Sequence, residues 1–492
     1  MRQPIEFNDE TIQFLFGAEA AEDEDPARLK QYYFKSDTYR NIVSDLPLRI
    51  IVGHKGIGKS ALITVAIQED FEKGRLPILI QPNDITKLST DSDDFLQNIN
   101  TWKEGLNAII ASKALTSLGA ESSEVEKVSK LRLTGKLASF LIETIKPLHE
   151  KILNLGPAKA LLVTNFLKNS EINVYIDDLD RGWEGKKKDI SKISALLNAI
   201  RDINNENKNI RFKIALRSDV YFLVRTSDES TDKTESAVVW YSWTNHEILA
   251  LLVKRIETYF GRTVLEAALI AKRQQQLAKY LEQIMDGRFM GRGRWQDVPM
   301  HQVLMSLIRK RPRDLVKLCT LAAKSAYKRK STIIQAADFQ SIFEDYSQGR
   351  IQDTVNEYRS ELPDIERLIM GMKPTKKGRD TASGYTYTTQ NLLKKIANIC
   401  EQGVFKFKNG QTGGSKELAQ FLYKINFLTG RKELPNGEII RKYFEENRYI
   451  SGKFADFGFD WEVHPAYRWA LQPDTLDGIF NDLQLTSDET WA

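Results

Sequence analysis

The sequence predicts an α/β fold, in which a parallel sheet with helices on both faces is followed by a helical segment and then a smaller α+β unit. Three observations carry that expectation. An apolar run, "LRIIVG", gives way to a glycine-rich stretch and then to "KSALITVAIQ", whose apolar residues fall at helical spacing. A second apolar run, "INVYIDDLDRGW" (172–183), ends in carboxylates, as a central parallel strand delivering acids to the carboxyl edge of a sheet would. From "WYSWTNHEILALLVKRIETYF" to about residue 330 the pattern is helical, and beyond 390 helix-like and short strand-like runs alternate.

Residues 1–45 read as a helical lead-in whose acidic run, "AEAAEDEDPARL", is expected to be a solvated helix or loop. The core, 46–235, opens on the strand "LRIIVG" and on Gly53-His54-Lys55-Gly56-Ile57-Gly58-Lys59-Ser60, which fits G-x-x-x-x-G-K-[ST]. By residue frequencies alone such a match arises in roughly one chain of this length in fifty. Strand, glycine loop and helix together aim backbone N–H groups and a helix N-terminus at phosphate oxygens. Gly53 to Ala61 are therefore expected to cradle a nucleotide's phosphates, with Lys59 reaching the β and γ phosphates and Ser60 ligating Mg²⁺. Ala61, Val65 and Ala66 share one face of the helix that follows.

Between this loop and the acidic run, "GLNAIIASKALTSL" and "GKLASFLIETIKPL" read as core-packing helices. At the end of the acidic strand Asp177 is the expected Mg²⁺-side carboxylate, and Asp178 the candidate that orients or deprotonates an attacking water. An acidic helix cap after a strand would look similar, and the lysine loop upstream favours the functional reading. After the amphipathic "ISKISALLNAIRDI" comes "RFKIALRSDVYFLVR", another buried-type strand. If it neighbours the acidic strand, Arg217 and Ser218 emerge beside Asp177, where Arg217 would sense the γ phosphate.

A helical lid is expected over 236–372, with Ile248, Leu251, Leu252, Ile256 and Tyr259 lining one face. Within it, "RKRPRDLVKLCTLAAKSA" opens a helix after Pro312 with Arg313 near its N-terminus, and "FMGRGRWQDVP" is a short loop carrying Arg292 and Arg294. Periodicity stops near "GMKPTKKGRDTASGYTYTT", so a linker or exposed loop is expected at 373–389. The α+β unit follows over 390–492.

With these segments in hand the chain resembles the additional-strand P-loop ATPases: AAA+, and more closely the STAND and KAP groups of bacterial signalling and defence ATPases. "GHKGIGKSAL" is similar to the phosphate loop of the KAP group and "VYIDDLDR" to its acidic strand end, while "FLFGAEAAEDEDPARLKQYYF", "RPRDL" and "VHPAYRWAL" extend the likeness over most of the chain. The resemblance implies ATP and Mg²⁺ as ligands and a P-loop ATPase core followed by a helical lid and a winged-helix-like C-terminal domain. It implies that Arg313 is a second sensor of the γ phosphate; Arg292 and Arg294 are candidates for a trans arginine finger in a homo-oligomer, for contacts to an acidic partner, or for no role at the site, and Arg181 is a rival for the finger role. It further implies a switch that assembles or recruits an effector protein, in a setting such as antiphage defence. Asp178 stands where AAA+ enzymes usually carry glutamate, which implies slow or assembly-dependent turnover. A winged helix binds DNA or protein; Lys416 and Lys424 lie near its possible recognition helix, but few basic residues cluster there and aromatics are many.

Composition narrows the classes further. No run approaches the roughly 18 apolar residues of a membrane span, and the start "MRQPIEFNDETIQFLF" lacks the pattern of a secretory signal. Two cysteines, Cys319 and Cys400, in no metal-ligand spacing suit a reducing cytoplasm, and His464 before Pro465 reads as a packed or capping residue rather than a ligand. A net charge of +5 is mild for 492 residues, so charge alone argues little for nucleic acid.

Overall fold

The computed structural model describes residues 4–86, 88, 92, 94–120, 125–126, 137–149, 157–227, 229–374, 384–435, 439–447, 458–471, 479–480 and 483–489. Its centre is a five-stranded sheet of β1 (Leu48–Val52), β2 (Leu76–Ile80), β3 (Ile172–Ile176), β4 (Ile210–Leu216) and β5 (Val238–Trp240). Every pairing is parallel and the order is β2-β3-β4-β1-β5. The strand β4 therefore lies between the loop-bearing β1 and the acidic β3. In consequence, the ends of β1, β3 and β4 open on one edge of the sheet.

These strands are nearly continuous apolar runs because both faces are covered. Ile51, Tyr175, Ala215 and Val239 pack on one face against the helix after the loop, the lead-in and the lid. Ile50, Val52, Ile78, Val174, Phe212 and Ile214 pack on the other against the helices Phe95–Leu118, Leu137–His149 and Lys187–Glu206. The two stretches expected as core-packing helices thus supply Leu106, Ile110, Leu115, Leu141 and Ile145 to that second core.

The lead-in forms α1 (Asp9–Phe16), α2 (Pro26–Tyr32) and α3 (Asp37–Ile42), each opened by a side-chain cap: Asn8, Asp25 and Ser36. Between α1 and α2 the acidic run departs from the solvated segment expected. Glu22 and Asp23 are exposed, but Glu24 is buried, accepting hydrogen bonds from the Tyr32 hydroxyl and the Ala18 amide, both at 2.8 Å, and pairing with Arg28. A buried carboxylate with three partners folds the run back onto the rest of the lead-in.

After β5 come the lid helices Asn245–Tyr259, Met300–Leu307, Pro312–Lys328 and Ala336–Tyr358, with a hairpin of β6 (Arg288–Met290) and β7 (Gln296–Pro299). Ile248, Leu251, Leu252 and Ile256 are buried and Tyr259 half-buried, sharing one core with α1, α2 and a sheet face. Of the expected linker, residues 375–383 lie outside the described residues, and Thr386–Tyr387 form β8.

The C-terminal unit is α+β. Besides a two-stranded pair of β9 (Phe405–Lys406) and β10 (Thr412–Gly413), it has an antiparallel sheet that runs β12-β11-β13-β8, with β11 at Leu428–Glu433, β12 at Ile439–Lys442 and β13 at Asp460–Val463, backed by helices Thr389–Cys400 and Ser415–Lys424. The far end of the Ala336–Tyr358 helix enters this core through Ile351, Val355 and Tyr358, so one rod serves lid and C-terminal unit alike. Two quoted segments meet there: Asp314 of "RPRDL" accepts both Nε and Nη2 of Arg309, and Arg309 Nη1 donates to the Tyr467 hydroxyl of "VHPAYRWAL" at 2.7 Å. Burial alone would raise the Asp314 carboxyl, but Arg309 and Arg350 outweigh it and hold it well below the usual range. His464 is a cap, as expected: Nδ1 accepts from the Ala466 amide and Nε2 lies 3.0 Å from the Tyr443 hydroxyl.

Candidate active site

The glycine loop spans from the end of β1 to α4 (Lys59–Glu72), and its backbone explains its glycines. Gly56 and Gly58 have φ of 79° and 105°, in the left-handed region where a side chain is strained. At Gly56 an added Cβ would also sit 3.3 Å from the Arg313 side chain. Trp243 braces the loop from behind, its indole N–H donating to the Ile57 carbonyl at 2.8 Å.

Lys59 Nζ is folded onto the loop, donating to the carbonyls of Gly53 at 2.6 Å and His54 at 3.0 Å. Burial lowers its pKa, opposed by Asp180 and Asp177. Ser60 and Asp177 both line the cavity, and the Ser60 hydroxyl favours the ionised Asp177 carboxylate. Burial, the dominant influence, raises the Asp177 carboxyl, against Ser60 and Lys59. A hydroxyl and a desolvated carboxylate side by side fit Mg²⁺, which takes one or two protein oxygens and leaves its remaining positions to phosphate and water. Among the described residues no group of three or more His, Cys, Asp or Glu side chains could hold a metal.

Beyond Asp177 the acids part ways. Asp178 has φ of 59°, its side chain is 57% exposed, and it pairs with Arg181 at 3.5 Å. Asp180, which sequence reasoning passed over, is 9% exposed and lies 3.3 Å from Arg217 Nε. Burial pushes its carboxyl up to about 6, with Arg217 and Lys59 pulling the other way. The signal available was the third acid of "IDDLD", two residues past Asp178; nothing local said which of the two turns inward.

Arg217 does emerge beside the acidic strand end, since β3 and β4 are neighbours. It makes a two-pronged contact with Asp219, at 3.1 and 2.6 Å, and lies 5.0 Å over the Tyr358 ring. Ser218 is fully buried beneath it. Arg313 crosses from the lid: its backbone N–H is 3.5 Å from the Gly56 carbonyl and its Nε donates to the Glu19 carbonyl at 3.1 Å.

These side chains converge on a cavity of about 640 Å³. It is lined by Lys55, Gly56 and Gly58 to Ala61 of the loop, by Asp177, Asp178, Asp180, Arg181 and Arg217 from the ends of β3 and β4, and by Arg313 and Glu357 from the lid. Ala18, Ala21, Leu29, Tyr32 and Val316 give it an apolar end, so the lead-in is a wall of the site. Gly53, His54 and Ile57 do not line the cavity; they shape the loop from behind. Arg292 and Arg294 are exposed on the β6–β7 hairpin and do not line it either. Lys424, expected near a DNA-reading helix, is buried and ion-paired with Glu361, while Lys416 is exposed. No described helix is long and apolar enough to cross a membrane.

A family model described as the FunZ-associated C-terminal helical domain matches residues 247–355, the lid. The chain is 23% identical, over 96% of its own length and 70% of the other's, to a putative transposon gamma-delta 80.3 kDa protein of Escherichia coli K12. Among solved structures it is similar to the ORC2 protein of Aeropyrum pernix in ADPNP–ADP complexes, with 12% identity, 88% and 87% of the two chains covered and a TM-score of 0.41. The Aeropyrum pernix ORC1 protein in complex with DNA gives 11%, 90% and 93%, and 0.36.

Proposed function

We propose that the chain is an ATP-binding and ATP-hydrolysing switch of the AAA+/STAND type. The observation that carries this reading is the convergence of Lys59, Ser60, Asp177, Asp180, Arg217 and Arg313, from four separate segments, on one cavity walled by the lead-in and the lid. Such a site binds lid, core and N-terminus together when filled, and loosens them when emptied.

In this reading the triphosphate lies along the loop N–H groups and the N-terminus of α4, with the base toward Tyr32, Leu29 and Val316. Mg²⁺, when bound by Ser60 and Asp177, supplies charge neutralisation to the phosphates. Lys59 exchanges its two carbonyl partners for phosphate oxygens, and Arg217 and Arg313 stabilise charge that grows in the transition state. Water attacks the γ phosphorus in line; the bond to the β-bridging oxygen breaks, ADP leaves, and the water proton passes to a carboxylate. Both acids line the cavity, but Asp180 suits that role better than Asp178: its side chain is 9% exposed against 57%, and burial pushes its carboxyl up to about 6, so that it is ionised at neutral pH yet basic enough to accept a proton. Arg181, Arg292 and Arg294 remain candidates for a finger in a neighbouring subunit of a homo-oligomer. Effector recruitment, a cytoplasmic setting and antiphage defence belong to the same reading and rest on the resemblance of the motifs.

A second reading, a nucleotide-gated DNA-binding regulator acting through a winged-helix-like C-terminal unit, draws on the description of the Escherichia coli relative as a transposon protein. The ion pair of Lys424 with Glu361 counts against that helix as the reading head.

Size-resolved light scattering with Mg²⁺ and ATP, ADP or no nucleotide, with phosphate release followed in the same samples, tests the proposal. Growth in mass with ATP and phosphate release, both lost in Lys59→Ala, is expected. Equal phosphate release by Lys59→Ala would reject it.

A further inference from the structure

We infer that Glu445 is a positioning residue for the phosphate loop, acting through His54, so that the C-terminal unit supports the nucleotide site from behind. The inference rests on the nucleotide reading above. His54 is the second residue of the loop, and its carbonyl is one of the two that Lys59 contacts. Its side chain turns away from the cavity and is 1% exposed.

The groups that enclose this imidazole come largely from far along the chain. Glu445 Oε1 lies 2.5 Å from Nε2, the Phe444 ring is 6.4 Å away, and the Tyr358 hydroxyl is 3.4 Å from Nδ1. Burial first, and then Arg311, Lys59, Arg217 and Arg309, hold the His54 pKa well below its ordinary value. Burial and these cations disfavour the charged imidazolium.

Glu445 is itself fixed. Asn426 donates Nδ2 to its Oε2 at 3.1 Å and accepts the Phe444 amide at 3.1 Å, from a buried position with φ of 57°. Phe444 also meets Phe222 edge to face at 5.6 Å, on the helix that leaves β4 directly after Arg217. Next to them Lys310, two residues before Pro312, pairs with Glu446 at 2.7 Å. Setting a carboxylate against a buried imidazole costs desolvation that an apolar contact would not. What the arrangement supplies in return is a fixed backbone at His54, hence a loop held ready for phosphate. By linkage, nucleotide binding and docking of the Tyr443–Asn447 segment reinforce each other.

The test uses the full chain and a fluorescent ATP analogue with Mg²⁺. Glu445→Ala is expected to weaken binding about tenfold, within the span that coupling between sites usually covers. Glu445→Gln, which keeps the shape and an acceptor oxygen, is expected to restore most of it, and kcat at saturating ATP should change less than the Kd. Amide exchange over residues 443–447 should slow on adding the analogue to the parent chain and not to Lys59→Ala. Unchanged affinity in Glu445→Ala with a binding parent, or exchange at 443–447 indifferent to nucleotide, would overturn the positioning role. A parent chain that binds no analogue would overturn the nucleotide reading itself, and this inference with it.

Discussion

Asp178 and Asp180 sit two residues apart and have opposite environments, and the difference is measurable. Asp180→Asn is expected to lower kcat by about 10²- to 10⁴-fold, the usual worth of a general base, while binding of the analogue is largely kept. Because burial raises the Asp180 pKa to about 6, the ionised, active form is lost as pH falls, so the rate should rise through about pH 6 and level off above it. The sign for stability is the reverse: with a folded pKa above the unfolded one, this group favours the folded state at low pH and that contribution is lost as pH rises through about 4 to 6. Asp178→Asn should leave the limb near pH 6 in place. If the limb follows Asp178 instead, the assignment of the base is wrong. At the loop, Gly58→Ala forces a side chain into φ of 105° and should cost about 1–3 kcal/mol in a thermal or denaturant melt, together with most of the nucleotide binding.

At the scale of elements, the chain end is a strap across the lid. The Leu483 carbonyl accepts the buried Trp295 indole, Thr486 donates its amide to Ser306, Asp488 meets His301 at 2.8 Å, and Glu489 accepts the amides of Asn245 and His246 at the opening of the first lid helix. Glu489 thus supplements the Thr244 cap and adds negative charge at a helix N-terminus. Glu489→Ala is expected to lower stability by about 1 kcal/mol, read by denaturant titration. No change would mean that the strap follows the lid without holding it. Elements like these were legible in the sequence wherever a local period produces them: "LRIIV" and "INVYI" are apolar because both sheet faces are covered, and Asn245–Tyr259 shows its buried stripe at helical spacing. The strap was not, since its polar partners lie some 180 or more residues away and no spacing encodes them.

The same limit applies to the whole molecule. Lys59, Ser60, Asp177 and Arg217 could be placed from the sequence, because a strand end, a glycine turn and a neighbouring strand fix them locally. Glu24 folding the lead-in over the cavity, Asp180 turning inward and His54 meeting Glu445 depend on contacts between distant segments. Lead-in, core and lid share one cavity, so a bound nucleotide should stabilise them together. At a ligand concentration one hundred times Kd, the gain is about 2.7 kcal/mol, visible as a single upward-shifted melting transition. Two transitions, only one of them moved by ATP, would show that lid and core respond separately.

The most direct test of the central claim is calorimetric titration of Mg²⁺ and ATP into the full chain beside Lys59→Ala. Saturable binding of one nucleotide per chain, weakened by about a hundredfold or more when the lysine is removed, is the predicted result. Absence of binding to the parent chain, or equal binding by Lys59→Ala, would contradict the account.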